Sequence, residues 1–311
     1  MKPLKIAFFT EAGAQRGMGH LIRCYSLYEE CKRHRMEGSF FLDSDIDFSY
    51  KFSDLHSFIW DNFCIDDTYD IVFIDSYEAS IDIYNIIART VNVPVFIDDY
   101  GRLEYPKGVI INIAPDAEEL FFATKNSNNS YLLGIDYIPL RRDIFLTTPK
   151  KEEQLFIMLG GSDPYNLSLK IIEVIQDIPV KKMIVSNDAR VVEILSSYPN
   201  VTVLYKPSDE ELISQMSKSS MAISTASMTL YELAYFKIPT IIFALSENQK
   251  IGSKQLLKYH LASNLINIED PYWTHDLKTN LVTLNTTDVK ATIDGRGTQR
   301  IVEFITKIAN T

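Results

Sequence analysis

Short apolar runs alternate with longer stretches in which apolar residues recur every three or four positions, and this alternation occurs twice along the chain. In the first half, runs near 4–10, 38–43, 70–75, 93–97, 109–112 and 131–134 predict strands. The periodic stretches near 19–35, 53–62, 79–91 and 116–124 predict helices. A continuous run such as Ile71-Val72-Phe73-Ile74 suits a parallel sheet covered on both faces, because a half-solvated strand would alternate instead. After Phe145 the pattern breaks at Leu146 to Glu153, where Pro149 and four successive charges predict a linker. The second half begins afresh, with strands near 155–159, 181–185, 201–204, 220–224 and 239–243. Its helices are predicted near 166–177, 189–197, 209–217, 228–236, 249–260 and 298–309. The expectation is an α/β protein of two doubly wound parallel-sheet domains, 1–148 and 149–311, with a ligand cleft between the carboxyl edges of the two sheets.

Length and composition agree with two ordinary cores: 311 residues, 46% hydrophobic and 23% charged. A net charge of −10 argues against a general nucleic-acid binder and against docking on anionic lipid. It leaves room for a small anionic ligand held by a few N–H groups and one or two arginines. The three cysteines, Cys24, Cys31 and Cys64, are an odd number, and the apolar run 5–10 is cut by Glu11 before it can act as a secretory signal. Reduced thiols and a cytoplasmic location are therefore expected. No Cys/His cluster has zinc spacing and no apolar stretch is long enough to span a bilayer, so neither a metal nor a membrane is expected as a partner. The aromatic run from Phe40 to Phe63 is interleaved with aspartates, which suits core packing rather than a lipid face.

Gly17-Met18-Gly19-His20, followed by Leu21-Ile22-Arg23-Cys24, joins the first strand to the first helix. Glycines at a helix start let backbone N–H groups approach a ligand. A histidine in the first turn feels the positive end of the helix dipole, which favours a neutral ring and predicts a general base at His20. The plainer alternative makes His20 a turn cap and Arg23 a solvated charge. Gly160-Gly161-Ser162-Asp163-Pro164 is a second close-approach turn, or else a simple strand-to-helix turn with Asp163 as N-cap and Pro164 opening the helix. The turn from Ser224 to Thr229 offers hydroxyls and a helix N-terminus to a phosphate, and Glu232, one turn further, can accept from both hydroxyls of a ribose. Read plainly, it is a serine or threonine cap. Ala244 to Gln249 forms a polar loop after a strand. Ile74-Asp75-Ser76-Tyr77 and Ile97-Asp98-Asp99-Tyr100 place carboxylates and phenols at strand ends near the expected position of His20. For Asp98 and Tyr100 the plain reading, a turn-forming aspartate and a packed tyrosine, is preferred.

Taken in order across nearly the whole chain, these motifs resemble the UDP-sugar hydrolases of pseudaminic acid biosynthesis, a nonulosonic acid pathway. Leu133-Gly134-Ile135-Asp136-Tyr137 with Leu140-Arg141, Asn166-Leu167-Ser168 and Glu247-Asn248-Gln249 complete the pattern. That family hydrolyses UDP-2,4-diacetamido-2,4,6-trideoxy-β-L-altropyranose. It is similar to the transferase that adds N-acetylglucosamine in peptidoglycan synthesis and shares its GT-B architecture of two Rossmann-like domains. The resemblance implies a catalytic His20 with Tyr77 lining the sugar site beside Gly17, Gly19, Arg23, Asp75 and Arg141. It implies nucleotide binding by Gly160, Gly161, Ser162, Ser227, Met228, Thr229 and Glu232, with Asn248 and Gln249 near the sugar and phosphate. Two departures stand out: Glu11-Ala12-Gly13-Ala14 replaces a frequent Asp-Ser pair, and Met228 fills a place usually small or polar.

The implied reaction is water attack at the anomeric carbon with inversion and departure of UDP, with no cofactor and a UDP-sugar as the partner of a monomeric enzyme. A GT-B glycosyltransferase would use the same donor. An NAD-dependent oxidoreductase fits badly, because the loop before Gly17 is long and Ile22 stands where the dinucleotide motif needs Gly or Ala, although Asp43 is suitably placed. A non-catalytic nucleotide-sugar-binding protein is the remaining alternative.

Overall fold

The computed structural model describes residues 2–311 except 15, 50, 51, 53, 67, 123, 161, 162, 164, 165, 245, 246 and 285–288, and except the side chains of 247–251. The first unit comprises Met1–Arg141 with Asp294–Thr311, and the second Arg142–Ile293. In the first, the chain runs β1 (Lys5–Ala12), α1 (Gly19–Arg33), β2 (Glu37–Ser44), β3 (Leu55–Ser57), β4 (Ile71–Asp75), α2 (Ile81–Thr90) and β5 (Val93–Asp98). It continues through β6 (Val109–Asn112), α3 (Ala117–Phe121) and β7 (Ser130–Leu133). All seven strands are parallel, in the order β3-β2-β1-β4-β5-β6-β7. The chain winds outward from β1 to β3, then returns to the other side of β1 with β4, so the strand order reverses between β1 and β4. Loops diverge at such a point and leave a crevice at the carboxyl ends of the strands. Thr10 pairs with Asp75 there, and α1 begins just beyond.

The aromatic run is core, as expected. Phe8 pairs in register with Phe40 and Phe73 on the two neighbouring strands, and the rings stack at centroid distances of 5.7 and 4.0 Å. All three side chains are fully buried. The helix expected over 53–62 is absent. Residues Leu55–Ser57 pair with the edge of β2, and only Trp60–Asn62 make a single 3-10 turn. The free edge of β2 offered a backbone ladder that outweighed a weak helical period.

The second unit runs α4 (Asp143–Leu146), β8 (Glu152–Met158), α5 (Leu167–Ile175), β9 (Lys181–Ser186), α6 (Ala189–Leu195) and β10 (Val201–Tyr205). Then follow α7 (Asp209–Lys218), β11 (Ser219–Thr225), α8 (Met228–Tyr235), β12 (Thr240–Phe243), α9 (Glu247–Lys258), β13 (Asn264–Ile266) and α10 (Trp273–Thr283). Its six parallel strands are ordered β10-β9-β8-β11-β12-β13, which places the reversal between β8 and β11. Ser208 and Glu211 form a reciprocal capping box at the start of α7, a signal already present in the sequence Ser-Asp-Glu-Glu. The short strand β13 and the helix α10 were not anticipated. Among the described residues no helix is long and apolar enough to cross a membrane.

The expected division at 148/149 is corrected in two ways. The units separate after Arg141, and the last helix, α11 (Gly297–Ala309), returns to the first unit. Its apolar face buries Ile301, Val302 and Ile305. Its first turn is fixed by Thr298 Oγ1 donating to Leu140 O at 3.3 Å and by Arg300 Nη1 donating to Asp136 O at 3.0 Å. Gly297 lies so close to the Ile138 backbone that a Cβ there would collide with it. Gly297→Ala is therefore expected to destabilise the first unit by about 1–3 kcal/mol, the usual cost of overpacking, measured as a lower denaturant midpoint with unchanged slope.

Candidate active site

The loop that leaves β1 closes on itself. Gly13 and Gly17 exchange backbone hydrogen bonds of 3.1 and 2.8 Å, and Gly17 takes φ +73°, a left-handed conformation that a side chain would strain. The chain then enters α1 with His20 in the first turn and Arg23 three residues on, neighbours on one helix face. That face meets the end of β4. His20 is 7% exposed, and its Nδ1 lies 2.6 Å from Oδ1 of Asp75, which is fully buried. A carboxylate only accepts hydrogen bonds, so Nδ1 carries a proton, and in the neutral ring Nε2 keeps the lone pair. Arg23 Nη2 lies 3.3 Å from the same Nδ1, a contact between two donors rather than a bond.

Arg23 ties two strand ends together. Its Nε and Nη2 donate to the two oxygens of Asp75 at 2.6 Å each. Its Nη1 and Nη2 donate to the two oxygens of Asp99, just beyond β5, at 2.5 and 3.0 Å. Both pairs are bidentate, the geometry for which a planar guanidinium is suited. The Tyr77 hydroxyl donates to Asp99, and the Tyr77 ring stands edge-on to His20 with centroids 4.5 Å apart.

The electrostatics follow from these contacts. Burial presses the His20 imidazole toward its neutral form, and Arg23 acts in the same direction. Asp75 opposes both and prevails, so the pKa lies above its usual 6.5. The sequence expectation of a ring kept neutral by the helix start is corrected accordingly: a carboxylate in direct contact outweighs partial charges on the backbone. Burial alone would raise Asp75, but Arg23 and then His20 hold it well below the usual carboxylate range. Asp99 is likewise lowered against its burial, chiefly by Arg23. The Tyr77 phenol is pushed up by burial and then by Asp99, so it remains a hydrogen-bond donor. The assembly presents one imidazole whose Nδ1 is oriented by a buried carboxylate and whose ring is flanked by a phenol, an arrangement in which Nε2 of the neutral ring is able to accept a proton from water.

Of the residues anticipated in the first unit, Gly17, Gly19, His20, Arg23, Asp75 and Tyr77 are brought together, whereas Arg141 is buried where the unit ends. Asp99 belongs to the cluster and was not anticipated. Its only signal was the Asp98-Asp99-Tyr100 motif, in which the two aspartates have opposite fates. Asp98 is the turn-former, accepting from Gly101 N, Arg102 N, Tyr105 Oη and Asn112 Nδ2. Asp99 turns instead toward Arg23. Asp43, the residue that lent colour to a dinucleotide site, is engaged by Arg16 Nη1 at 2.8 Å and by Trp60 N at 3.0 Å.

In the second unit, Gly160 follows β8, while Gly161, Ser162 and Pro164 lie outside the described residues. The N-cap position of α5 is Asn166 rather than Asp163, but the Asp163 side chain accepts from Leu167 N at 2.7 Å and from Ser168 N at 3.0 Å, so it still satisfies the first N–H groups of a helix that opens at Leu167 rather than near Pro164. Ser227 occupies the N-cap position of α8 but makes no side-chain cap bond, and its buried Oγ has no partner among the described residues. The plain cap reading therefore does not hold for Ser227. Met228 and Thr229 form the first turn of α8, where Thr229 Oγ1 lies 3.7 Å from Met158 Sδ, and Glu232 is buried one turn on. Asn248 and Gln249 belong to α9, with side chains outside the described residues.

Removing Arg23 leaves the buried Asp75 carboxylate beside the partly exposed carboxylate of Asp99 with no cation between them. Arg23→Met is expected to destabilise the first unit by about 3–5 kcal/mol at neutral pH. Asp75 and Asp99 have lowered pKa values in the folded state, so the stabilisation they draw from Arg23 is present above the unfolded carboxylate pKa and is lost as pH falls through the folded values. The gap between wild type and Arg23→Met in urea titrations should narrow as the pH is lowered below about 4.

No protein-family profile matches the chain. It is 26% identical over 263 residues, 82% of its length, to a Helicobacter pylori protein named pseudaminic acid cytidylyltransferase and UDP-2,4-diacetamido-2,4,6-trideoxy-β-L-altropyranose hydrolase. The match covers 47% of that protein, so the chain spans about half the length of this curated relative. Among solved structures, MurG of Acinetobacter baumannii superposes with a TM-score of 0.65 at 13% identity, covering 97% of this chain and 99% of its own. The calicheamicin glycosyltransferase CalG4 gives 0.65 at 11% identity, covering 100% and 99%. At such identities the likeness establishes the architecture alone. The protein thus has the GT-B fold of these glycosyltransferases, on a sequence similar to the hydrolase-bearing Helicobacter pylori protein.

Proposed function

We propose that this protein hydrolyses a UDP-activated diacetamido-trideoxyhexose to UDP and the free sugar, with His20 as the general base. The observation that carries the reading is the His20–Asp75 pair: a buried imidazole with Nδ1 committed to a carboxylate, so that Nε2 is the nitrogen left to take a proton, at the strand-order reversal where this fold binds ligands. The similarity to the Helicobacter pylori protein supports the choice of substrate class.

UDP departs as a stabilised anion, so the leaving group needs no strong acid. The protein's tasks are to stabilise charge developing on the diphosphate and to activate one water. In this reading the start of α8, with Ser227, Met228 and Thr229, supplies N–H groups to the diphosphate, together with the Ser227 hydroxyl, which has no partner among the described residues. Glu232 takes the ribose, and Asn248 and Gln249 serve the sugar and phosphate. His20 Nε2 removes the water proton as oxygen attacks the anomeric carbon opposite UDP, which inverts that centre. Asp75 stabilises the imidazolium that forms, and Tyr77 borders the sugar. A glycosyltransferase would need an acceptor, so release of UDP from donor and water alone separates the two activities. Continuous UDP release, with NMR of the sugar formed, is the direct assay.

His20→Ala should lower kcat by about 10²–10⁴-fold with UDP affinity unchanged in calorimetry; parallel loss of both would remove His20 from the role of base. The base must be neutral and its pKa is raised, so kcat/KM should fall as pH drops through a value above 6.5. Asp75→Asn removes the group that raises that pKa and leaves Arg23, which lowers it. The acid limb should then move to lower pH as kcat declines, and an unmoved limb would place the titrating base elsewhere.

A further inference from the structure

Glu11 is a buried carboxylate that the reaction outlined above does not use. It follows Thr10 in β1, is 2% exposed, and forms no ion pair among the described residues. Its oxygens are filled by neutral donors. Oε2 accepts from Trp60 Nε1 at 2.8 Å and from the Ser76 hydroxyl, and Oε1 accepts from Tyr77 N at 2.8 Å. Burying a carboxylate among neutral groups costs several kcal/mol unless its hydrogen bonds are made, so a core would be more stable without one. What Glu11 holds is specific. Ser76 and Tyr77 are the two residues after Asp75, where β4 ends and the chain turns toward α2. The Ser76 hydroxyl in turn accepts from Glu78 N at 2.9 Å and Ala79 N at 2.8 Å, and the Ser76 carbonyl accepts from Arg102 Nη2 at 3.1 Å. The Ser76 hydroxyl, the Ser76 carbonyl and the Tyr77 N–H are therefore committed, and Glu11 supplies both acceptors on the β1 side.

We infer that Glu11 is a positioning residue: by clamping the Ser76–Tyr77 peptide to β1 and to Trp60, it sets the Tyr77 ring against His20 and the Asp75 carboxylate at His20 Nδ1. The inference rests on the hydrolase reading for its kinetic consequence and on the structure for its geometric one. Glutamine cannot replace Glu11, because the NH2 end of its amide would face either Trp60 Nε1–H or Tyr77 N–H, where the carboxylate offers an acceptor to both. Trp60→Phe keeps an aromatic ring, smaller than the indole, and removes the donor. Glu11→Asp keeps both acceptors on a side chain one methylene shorter.

The test combines kinetics with a measurement that needs no substrate. The chain has five histidines, and the His20 ring signal can be assigned by its disappearance in His20→Gln. In Glu11→Gln the His20 pKa should fall toward 6.5, kcat for the UDP-sugar should fall about tenfold or more from misplacement of the base, and UDP affinity should not change. Trp60→Phe should shift both in the same direction by less, and Glu11→Asp should recover part of the loss. If Glu11→Gln fails to fold, Trp60→Phe carries the measurement. The inference is overturned if His20 titrates as in wild type in the folded variant, even where stability or kcat has dropped, since that marks a merely structural role. If wild type releases no UDP from the sugar nucleotide, the hydrolase reading fails, and the His20 titration still decides whether Glu11 governs the site.

Discussion

The Arg23 guanidinium, sealed between Asp75 and Asp99, is the contact on which the first unit's functional face depends. One cation joins the first turn of α1 to the ends of two adjacent strands, β4 and β5, through four hydrogen bonds. Neither Arg23 nor Asp75 could be buried alone: an isolated ion in this environment carries a penalty of several kcal/mol that only a matched partner offsets, and Asp99 adds a second carboxylate from the partly exposed side. The requirement is therefore mutual. Arg23 must lie where both carboxylates reach it, which fixes the rotation of α1 about its axis. Fixing that rotation places His20, three residues earlier on the same face, against the inner oxygen of Asp75.

The same contacts set the chemistry. Asp75 serves two partners at once, and their effects on His20 oppose each other: the carboxylate raises the imidazole pKa while the guanidinium beside it lowers it. A His–Asp pair buried without the arginine would hold its proton more tightly and be a poorer base near neutrality. Arginine without the carboxylate would give a permanently neutral but undirected ring. The combination leaves a ring with its Nδ1 committed to the carboxylate and a pKa raised above 6.5, the setting in which the proposed base would act. Tyr77 links this balance to Asp99 through its hydroxyl and to His20 through its ring edge.

The second unit repeats the topology of the first but not its chemistry. Both sheets reverse strand order beside their first strand, and both place glycine after that strand. Where the first unit builds an ionic cluster, the second leaves the start of α8 bare, with the Ser227 hydroxyl buried and unmatched among the described residues. The first arrangement suits proton transfer and the second suits an anion. A fold shared with glycosyltransferases is compatible with either transfer or hydrolysis, because the outcome is set by what accepts the sugar and not by the sheet.

The sequence alone determined the alternation of strand and helix, the two sheets, the aromatic core and the glycine turn that delivers His20, because those depend on local period and turn chemistry. It also placed Asp75, Tyr77 and Arg23 near one another, since parallel strands bring their carboxyl ends to one edge. It read Asp98 as a turn-former, as observed, but gave the adjacent Asp99 no role, because which neighbour a second aspartate reaches is decided in space. It took residues 53–62 for a helix, because the open edge of β2 that recruits them is invisible in a local window. It assigned α11 to the wrong unit, because an amphipathic face shows that a helix docks but not where. The protonation bias of His20 was read with the wrong sign for the same reason. The helix start is local and legible, whereas the carboxylate that overrules it lies 55 residues away in the chain and 2.6 Å away in space.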